Sequence, residues 1–389
     1  MSIALVNGRV LRDDTLVEGQ CVLLEGARIA AIVQADDPRC RNGQRYDLGG
    51  GLLLPGFIDS QVNGGGGVLF NDSPSVEVIR AIGAAHRRFG TTGFLPTLIS
   101  ADLDVVARAI AAVRGAIQAG VPGVLGIHIE GPFLNVVRKG VHDPAKLREL
   151  DASALGLLTS LQEGRTLVTL APEMTTPQII EKLVAAGVVV SAGHTNATYA
   201  EIEPALRHGL TGFTHLFNAM SQLTGREPGA VGAALSDPGS WCGIIVDGVH
   251  TDPVVLRIAL KCKPHERFML VTDAMPSVGT HNGSFQLQGR RITVSGNVCV
   301  DEDGTLAGSN IDMASSVRNA MSMLGLPLSE AVRMASQWPA EFLGIAGDVG
   351  RIAAGYRANL VHADEQLNVL ETWIDGRPST APGTPARGT

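Results

Sequence analysis

The sequence predicts an α/β fold: a (β/α)8 barrel with a small β-sandwich domain built from both chain ends. Three observations point there. Eight apolar, strand-like runs alternate with amphipathic helical stretches through the middle of the chain. Both ends instead read as short strands separated by Gly and Asp turns, with no helical period. Nearly every apolar run in the middle terminates in a side chain able to do chemistry, as strand ends at a barrel mouth do.

Taken in order, "IALVNGRV", "CVLLEGARIAAIV" and "RYDLGGGLLLPG" have hairpin grammar. The strand-like runs follow at 57–62, 93–99, 124–130, 167–173, 188–194, 212–217, 241–246 and 267–273. Each is continuously apolar rather than alternating, which implies parallel strands covered on both faces. Stretches such as "SVEVIRAIGAAHRRFG" and "TPQIIEKLVAAGV" supply the intervening helices. The segment "GRIAAGYRANLVHADEQLNVLETWIDGRP" returns to strands, with turns at 354–355 and 375–376. Residues 1–51 and 348–379 are therefore expected to form the small domain and 52–347 the barrel. The Pro/Gly/Ala/Thr-rich residues 380–389 read as a disordered tail.

The 389 residues are 45% apolar and 18% charged, the balance of a well-buried protein. A net charge of −7 argues against non-specific nucleic-acid binding, while leaving room for an anionic small molecule. No run reaches the roughly 18 apolar residues of a membrane helix. The start "MSIALVNGRVLRDD" lacks a signal-peptide pattern. Five dispersed cysteines without C-x-x-C spacing fit reduced thiols, and the expected location is the cytoplasm.

The runs end at or near Gln61, Thr97, Glu130, Glu173, His194, His215, Asp247 and Asp273. A loop beginning in a polar residue is enough to explain Thr97 or Glu173. It explains Glu130, His194, His215 and Asp273 poorly, because one carboxylate and two imidazoles are a ligand set for a catalytic zinc with one position left for water. Asp273 beside that water could take its proton and later return it. His128 shares the barrel face of Glu130 and is either beside the site or in the core. His86, His208, His265, His281 and His362 read as surface groups. Gly64 to Gly67 lack the lysine and spacing of a phosphate loop, and a tight turn is expected.

These residues lie in longer motifs. "LPGFIDSQVNGGGGVLFND", "GIHIEGPFLNVVRKGVHDP", "SAGHTNATYAE", "FTHLFNAMSQLTGREPGAVGAAL", "GIIVDGVHTDP", "LVTDAMP" and "DGTLAGSNIDM" resemble, in order, those of the N-acetylglucosamine-6-phosphate deacetylases of the amidohydrolase superfamily. The resemblance runs from about residue 3 to residue 378. It implies Glu130, His194 and His215 as ligands of one divalent ion, zinc first, with Fe, Co or Mn as alternatives. It implies Asp273 as general base and acid, acting with a metal-bound water, and His142 as the group polarising the acetyl carbonyl. Substrate contacts fall on Val141, Asn218, Ala219, Arg226, Asp247, His250, Leu306, Ala307 and Gly308. It further implies a phosphosugar substrate and a homodimer, with part of the phosphate site from the neighbouring subunit.

One motif departs from the two-metal pattern. His-x-His on the first strand is replaced by Gln61 and Asn63, neutral amides that bind zinc poorly but hydrogen-bond well. One metal is therefore expected, with Gln61 close to it or to its water. N-acetylgalactosamine 6-phosphate is the neighbouring substrate alternative. A non-catalytic barrel scaffold is the alternative of another class.

Overall fold

The computed structural model describes residues 2–379. The tail expected at 380–389 lies outside the described residues. Eight parallel strands follow one another in chain order: Phe57–Val62, Thr91–Ile99, Gly126–Glu130, Arg165–Leu170, Val189–Ala192, Gly212–Phe213, Trp241–Ile244 and Phe268–Leu270. They are the eight apolar runs of the sequence, and their side chains are almost wholly buried, as strands packed on both faces require.

Most of them stop short of the expected end. The fourth ends at Leu170, the fifth at Ala192, and the eighth at Leu270. Beyond the fifth, sixth and eighth, the backbone enters left-handed conformations, with φ of 47° at His194, 34° at His215 and 51° at Asp273. A left-handed residue cannot extend a strand ladder, so at these three positions the polar residue that ends the apolar pattern stands outside the pairing.

The first and eighth strands meet without a regular ladder. The Asp273 N–H donates to Gln61 O at 3.0 Å and the Asn63 N–H to Ala274 O at 2.9 Å. The buried Asp59 carboxylate bridges the seam, accepting from the Gln61 N–H at 3.2 Å, the Thr272 N–H at 3.3 Å and the Thr272 hydroxyl.

The outer helices match the amphipathic stretches. Val76–Arg87 starts at Ser75, whose hydroxyl caps the Val78 N–H, and buries Ile79, Ile82 and Ala85 against the barrel. Pro177–Ala185 begins with proline, whose missing N–H costs nothing in a first turn. A capping box of Thr198 and Glu201 opens Tyr199–Arg207 directly after the fifth strand's loop.

Strands from both chain ends form one mixed sheet: Ser2–Arg12, Thr15–Glu25, Arg28–Gln34, Gln44–Asp47, Leu52–Pro55, Leu360–Ala363, Val369–Ile374 and Arg377–Pro378. It forks because Ser2–Arg12 pairs Gln44–Asp47 along one half and Leu52–Pro55 along the other. Its arms share a core of Leu5, Val10, Val22, Leu53, Leu360 and Trp373. Leu52–Pro55 pairs antiparallel with Leu360–Ala363, so the chain passes from sheet to barrel at Gly56. A Cβ there would lie 2.0 Å from Thr92 Oγ1, which only glycine avoids.

A second sheet is an addition to the expected architecture. Ser284–Leu287, Arg290–Ser295, Val298–Val300 and Leu306–Ser309 form an antiparallel ribbon inserted after the eighth barrel strand. Its sequence signal is the pair of hairpin turns "QG" at 288–289 and "GN" at 296–297. Two histidines expected at the surface are buried. His86 is bonded to Gly64 O at 2.9 Å, and His362 to Leu48 O at 2.9 Å. Gly64–Gly65 pairs with Val68–Leu69 in a tight hairpin over His86.

Candidate metal centre and active site

Glu130, His194 and His215 come from the third, fifth and sixth strand ends and meet at one point. Glu130 Oε1 lies 3.0 Å from His215 Nε2 and 3.3 Å from His194 Nε2, and the two imidazole nitrogens are 3.1 Å apart. All three side chains are buried. The His194 Nδ1–H donates to Arg138 O at 2.9 Å, which leaves its Nε2 as a lone pair aimed at the other two donors. Burial alone would raise the Glu130 carboxyl, yet the two imidazoles facing it hold it well below the ordinary range. His215 responds in the opposite sense: burial disfavours its charge, but the Glu130 bond and charge raise its pKa. A buried carboxylate and two converging imidazole nitrogens form the donor set of a divalent cation, so these residues fit such an ion.

Asp273 faces this cluster from the eighth strand end. Its Oδ1 accepts from Asn63 Nδ2 at 2.6 Å and Gln61 Nε2 at 3.1 Å. Gln61 Nε2 also reaches Glu130 Oε2 at 3.2 Å, so one amide touches both carboxylates. Burial, and then the Glu130 charge, push Asp273 up to about 6. Asn63 Oδ1 is buried with no protein partner, an acceptor left for water or ligand.

His142 stands on the other side of His194, with ring centroids 4.4 Å apart. Its Nδ1 accepts from the Ser100 N–H at 3.3 Å and pairs with the Ser100 hydroxyl at 2.7 Å. The backbone donor fixes the tautomer: Nε2 bears the proton. Burial, then His194, holds the ring well below its usual pKa, so it is a neutral donor.

His128 sits one layer deeper. It bridges Thr97 Oγ1 at 3.2 Å and Thr169 Oγ1 at 2.7 Å, and burial lowers its pKa to about 4. Thr169, Thr214 and Ser191 continue the chain at 2.7 and 2.8 Å. This hydroxyl belt is the floor beneath the metal cluster.

A cavity of about 490 Å³ opens above these groups. Glu130, His142, His194, His215 and Asp273 line its base; Val141, Asn218, Ala219 and His250 line its wall; Leu306 and Gly308 of the inserted ribbon line its rim. Asp247 is set back from it and acts on His250, accepting from its Nδ1 at 2.6 Å. Ala307 turns away into the ribbon core beside Met275 and Leu287. Arg226 is exposed and does not line the cavity of its own chain. A larger groove of about 740 Å³ lies between the terminal sheet and the opposite end of the barrel, away from these groups.

A family model described as "Amidohydrolase family" matches residues 52–378. The chain belongs to the amidohydrolase family. It is 46% identical to the N-acetylgalactosamine-6-phosphate deacetylase of Shewanella sp. (strain ANA-3), over 90% of this chain and 86% of that one. It is 36% identical to the N-acetylglucosamine-6-phosphate deacetylase of Haemophilus influenzae, over 97% and 99% of the two chains. The crystal structure of N-acetylglucosamine-6-phosphate deacetylase from Pasteurella multocida superposes with a TM-score of 0.93 at 36% identity, covering 97% of this chain and 99% of that one.

Amidohydrolases are metal-dependent, and in this chain the Glu130, His194 and His215 cluster is the site suited to the ion. Around the site this amidohydrolase also holds groups to which sequence patterns assigned no role. Ser100 sets the His142 tautomer, and Gln288 of the ribbon holds Ser100 O at 3.0 Å and the Asp143 N–H at 2.8 Å. Glu173, explicable in sequence as a polar loop start, accepts three hydrogen bonds from the loops around His194. No local pattern marks Ser100 or Gln288, because their partners are distant in the chain.

Proposed function

We propose that this amidohydrolase hydrolyses the acetamide of N-acetylglucosamine 6-phosphate to glucosamine 6-phosphate and acetate. The observation that carries this is the ring of Glu130, His194 and His215 facing Asp273 and a neutral His142 across one cavity. The relatives named for deacetylation of the two N-acetylhexosamine 6-phosphates support the substrate class.

Glu130, His194 and His215 would hold one divalent ion, zinc by first choice. When bound, such an ion lowers the pKa of a coordinated water to about 7 and polarises a carbonyl oxygen. The Nε2–H of His142 donates to the acetyl oxygen, stabilising the charge that develops there. Asp273, its Oδ1 held by two amides, takes the proton from the attacking water through Oδ2 and passes it to the departing nitrogen. His250, with its Nδ1 paired to Asp247, directs its other nitrogen to the phosphosugar. Asn218 and Ala219, with the backbone at Val141, Leu306 and Gly308, shape the sugar site.

Arg226 suits the phosphate because its planar fork donates in pairs, and its position outside its own cavity supports a homodimer in which it serves the partner. We also assign the enzyme to the cytoplasm, in keeping with five unpaired cysteines. As folding units we take residues 52–347 as the barrel with 1–51 and 348–379 as the β-domain, with the first crossing at Gly56.

N-acetylgalactosamine 6-phosphate is the second reading, favoured by the 46% identity to an enzyme named for it. Both sugars, assayed with zinc-loaded enzyme and with metal content measured on the same sample, test the proposal. No acetate release from either would remove it, and the ratio of kcat/KM values assigns the epimer.

A further inference from the structure

Glu173 follows the fourth barrel strand in the turn Pro172–Met174, and no step of the proposed reaction uses it. Its Oε1 accepts from the Asn196 N–H at 2.7 Å and Asn135 Nδ2 at 3.0 Å, and its Oε2 from the Thr195 hydroxyl at 2.5 Å. These donors belong to two loops. Thr195 and Asn196 directly follow His194, and Asn135 opens the segment that ends in His142.

The loops are also laced to each other. The Asn135 N–H donates to His194 O at 2.9 Å, the His194 Nδ1–H to Arg138 O at 2.9 Å, and Arg138 Nε to Asn196 Oδ1 at 3.0 Å. His194 holds a left-handed φ of 47°, a conformation a non-glycine residue keeps only where its surroundings impose it. The Glu173 carboxylate takes up donors on both sides of that strained residue. Without it, an N–H, an amide and a hydroxyl lose their acceptor, and His194 is free to relax.

We propose that Glu173 is a positioning residue for the deacetylation: one carboxylate that aims the metal-facing nitrogen of His194 and, in the same frame, holds the loop presenting His142. It thereby couples metal affinity to recognition of the acetyl group. The second half rests on the proposed deacetylase function; the first does not, since metal binding is measured without substrate.

The test compares wild type with Glu173→Ala, Glu173→Gln and Thr195→Val as full-length proteins. Zinc dissociation constants come from chelator competition, kcat and KM from assays at saturating zinc, and Tm from the metal-free proteins. Glu173→Ala is expected to weaken zinc binding by about 10- to 100-fold, the usual cost of removing a group that orients a ligand. At saturating zinc, its kcat falls by a larger factor than its KM rises. Glu173→Gln keeps an acceptor for the Asn196 N–H and recovers most of both losses. Thr195→Val removes one of the three bonds to Glu173, together with the Ala197 N–H bond to the same hydroxyl at 3.0 Å, and shows a smaller loss of zinc affinity in the same direction. A purely structural role would lower Tm alone. Wild-type zinc affinity and kcat in Glu173→Ala overturn the proposal, as does wild-type zinc affinity in Thr195→Val should the alanine variant not fold. If the wild type acts on neither sugar, the functional reading fails while the zinc measurements still decide the role of Glu173.

Discussion

Asn63 Nδ2 donates to Asp273 Oδ1 at 2.6 Å, across the seam where the first and eighth barrel strands meet. With Gln61 Nε2 at 3.1 Å from the same oxygen, two neutral amides occupy the positions at which His-x-His would help to bind a second cation. They keep the carboxylate oriented and ionised without a further charge. Asn63→Ala should therefore lower kcat by about 10- to 100-fold, the worth of a hydrogen bond to a charged group being about 1.5–3 kcal/mol. Zinc content should stay at that of the wild type. Unchanged turnover would show that Asp273 needs no help from Asn63.

Metal removal should abolish activity, and zinc should restore it at one ion per chain, since among the described residues the Glu130, His194 and His215 group is the cluster suited to an ion. Metal analysis after dialysis gives the stoichiometry. Two tightly held ions per chain would show that Gln61 and Asn63 do not exclude a second metal.

Asp273→Asn should cost about 10²- to 10⁴-fold in kcat, the range for a general acid–base group. Zinc binding and the fold should survive, because Asp273 is not among the three converging donors. Turnover near that of the wild type removes Asp273 from the proton path.

The seam carboxylate sets a pH dependence of stability. Burial raises Asp59 to about 7 from 3.8, so between those values the folded chain binds more protons than the unfolded one. Its contribution is fully present below about pH 4 and is lost as pH rises through about 7, at most about 4 kcal/mol. Denaturant unfolding of wild type and Asp59→Asn across pH 4–8 isolates this contribution, because the amide cannot titrate. The wild type should lose stability relative to the variant as pH rises; a constant difference would rule the effect out.

Arg226→Ala should raise KM for the phosphosugar by about 10-fold or more, with kcat little changed, as loss of a charged hydrogen bond to ground state and transition state alike requires. Mixing inactive Asp273→Asn subunits with Arg226→Ala subunits should restore wild-type KM in a fraction of sites, through the partner subunit's Arg226. No restoration on mixing would place Arg226 outside the neighbouring site.

The sequence by itself determined the barrel, the strands at both chain ends and the reactive groups, though not the inserted ribbon. Hydrophobic periodicity is local, so the eight runs and their helices were readable without contacts, and Glu130, His194, His215 and Asp273 stood out because each follows such a run. Tertiary structure decided how those groups are aimed. At His194, His215 and Asp273 the backbone is left-handed just beyond the paired strand, and their side chains meet at the base of one cavity. The proton on His142 Nε2 depends on Ser100, 42 residues away, and the orientation of Asp273 on Asn63, 210 residues away. His86 and His362, which read as surface groups, are buried because Gly64 and Leu48 offer them carbonyls from separate parts of the chain. Periodicity records which face of an element is apolar. It carries no information on which distant backbone atom will meet a particular side chain, and at this site those meetings fix the tautomers, charges and directions on which the chemistry depends.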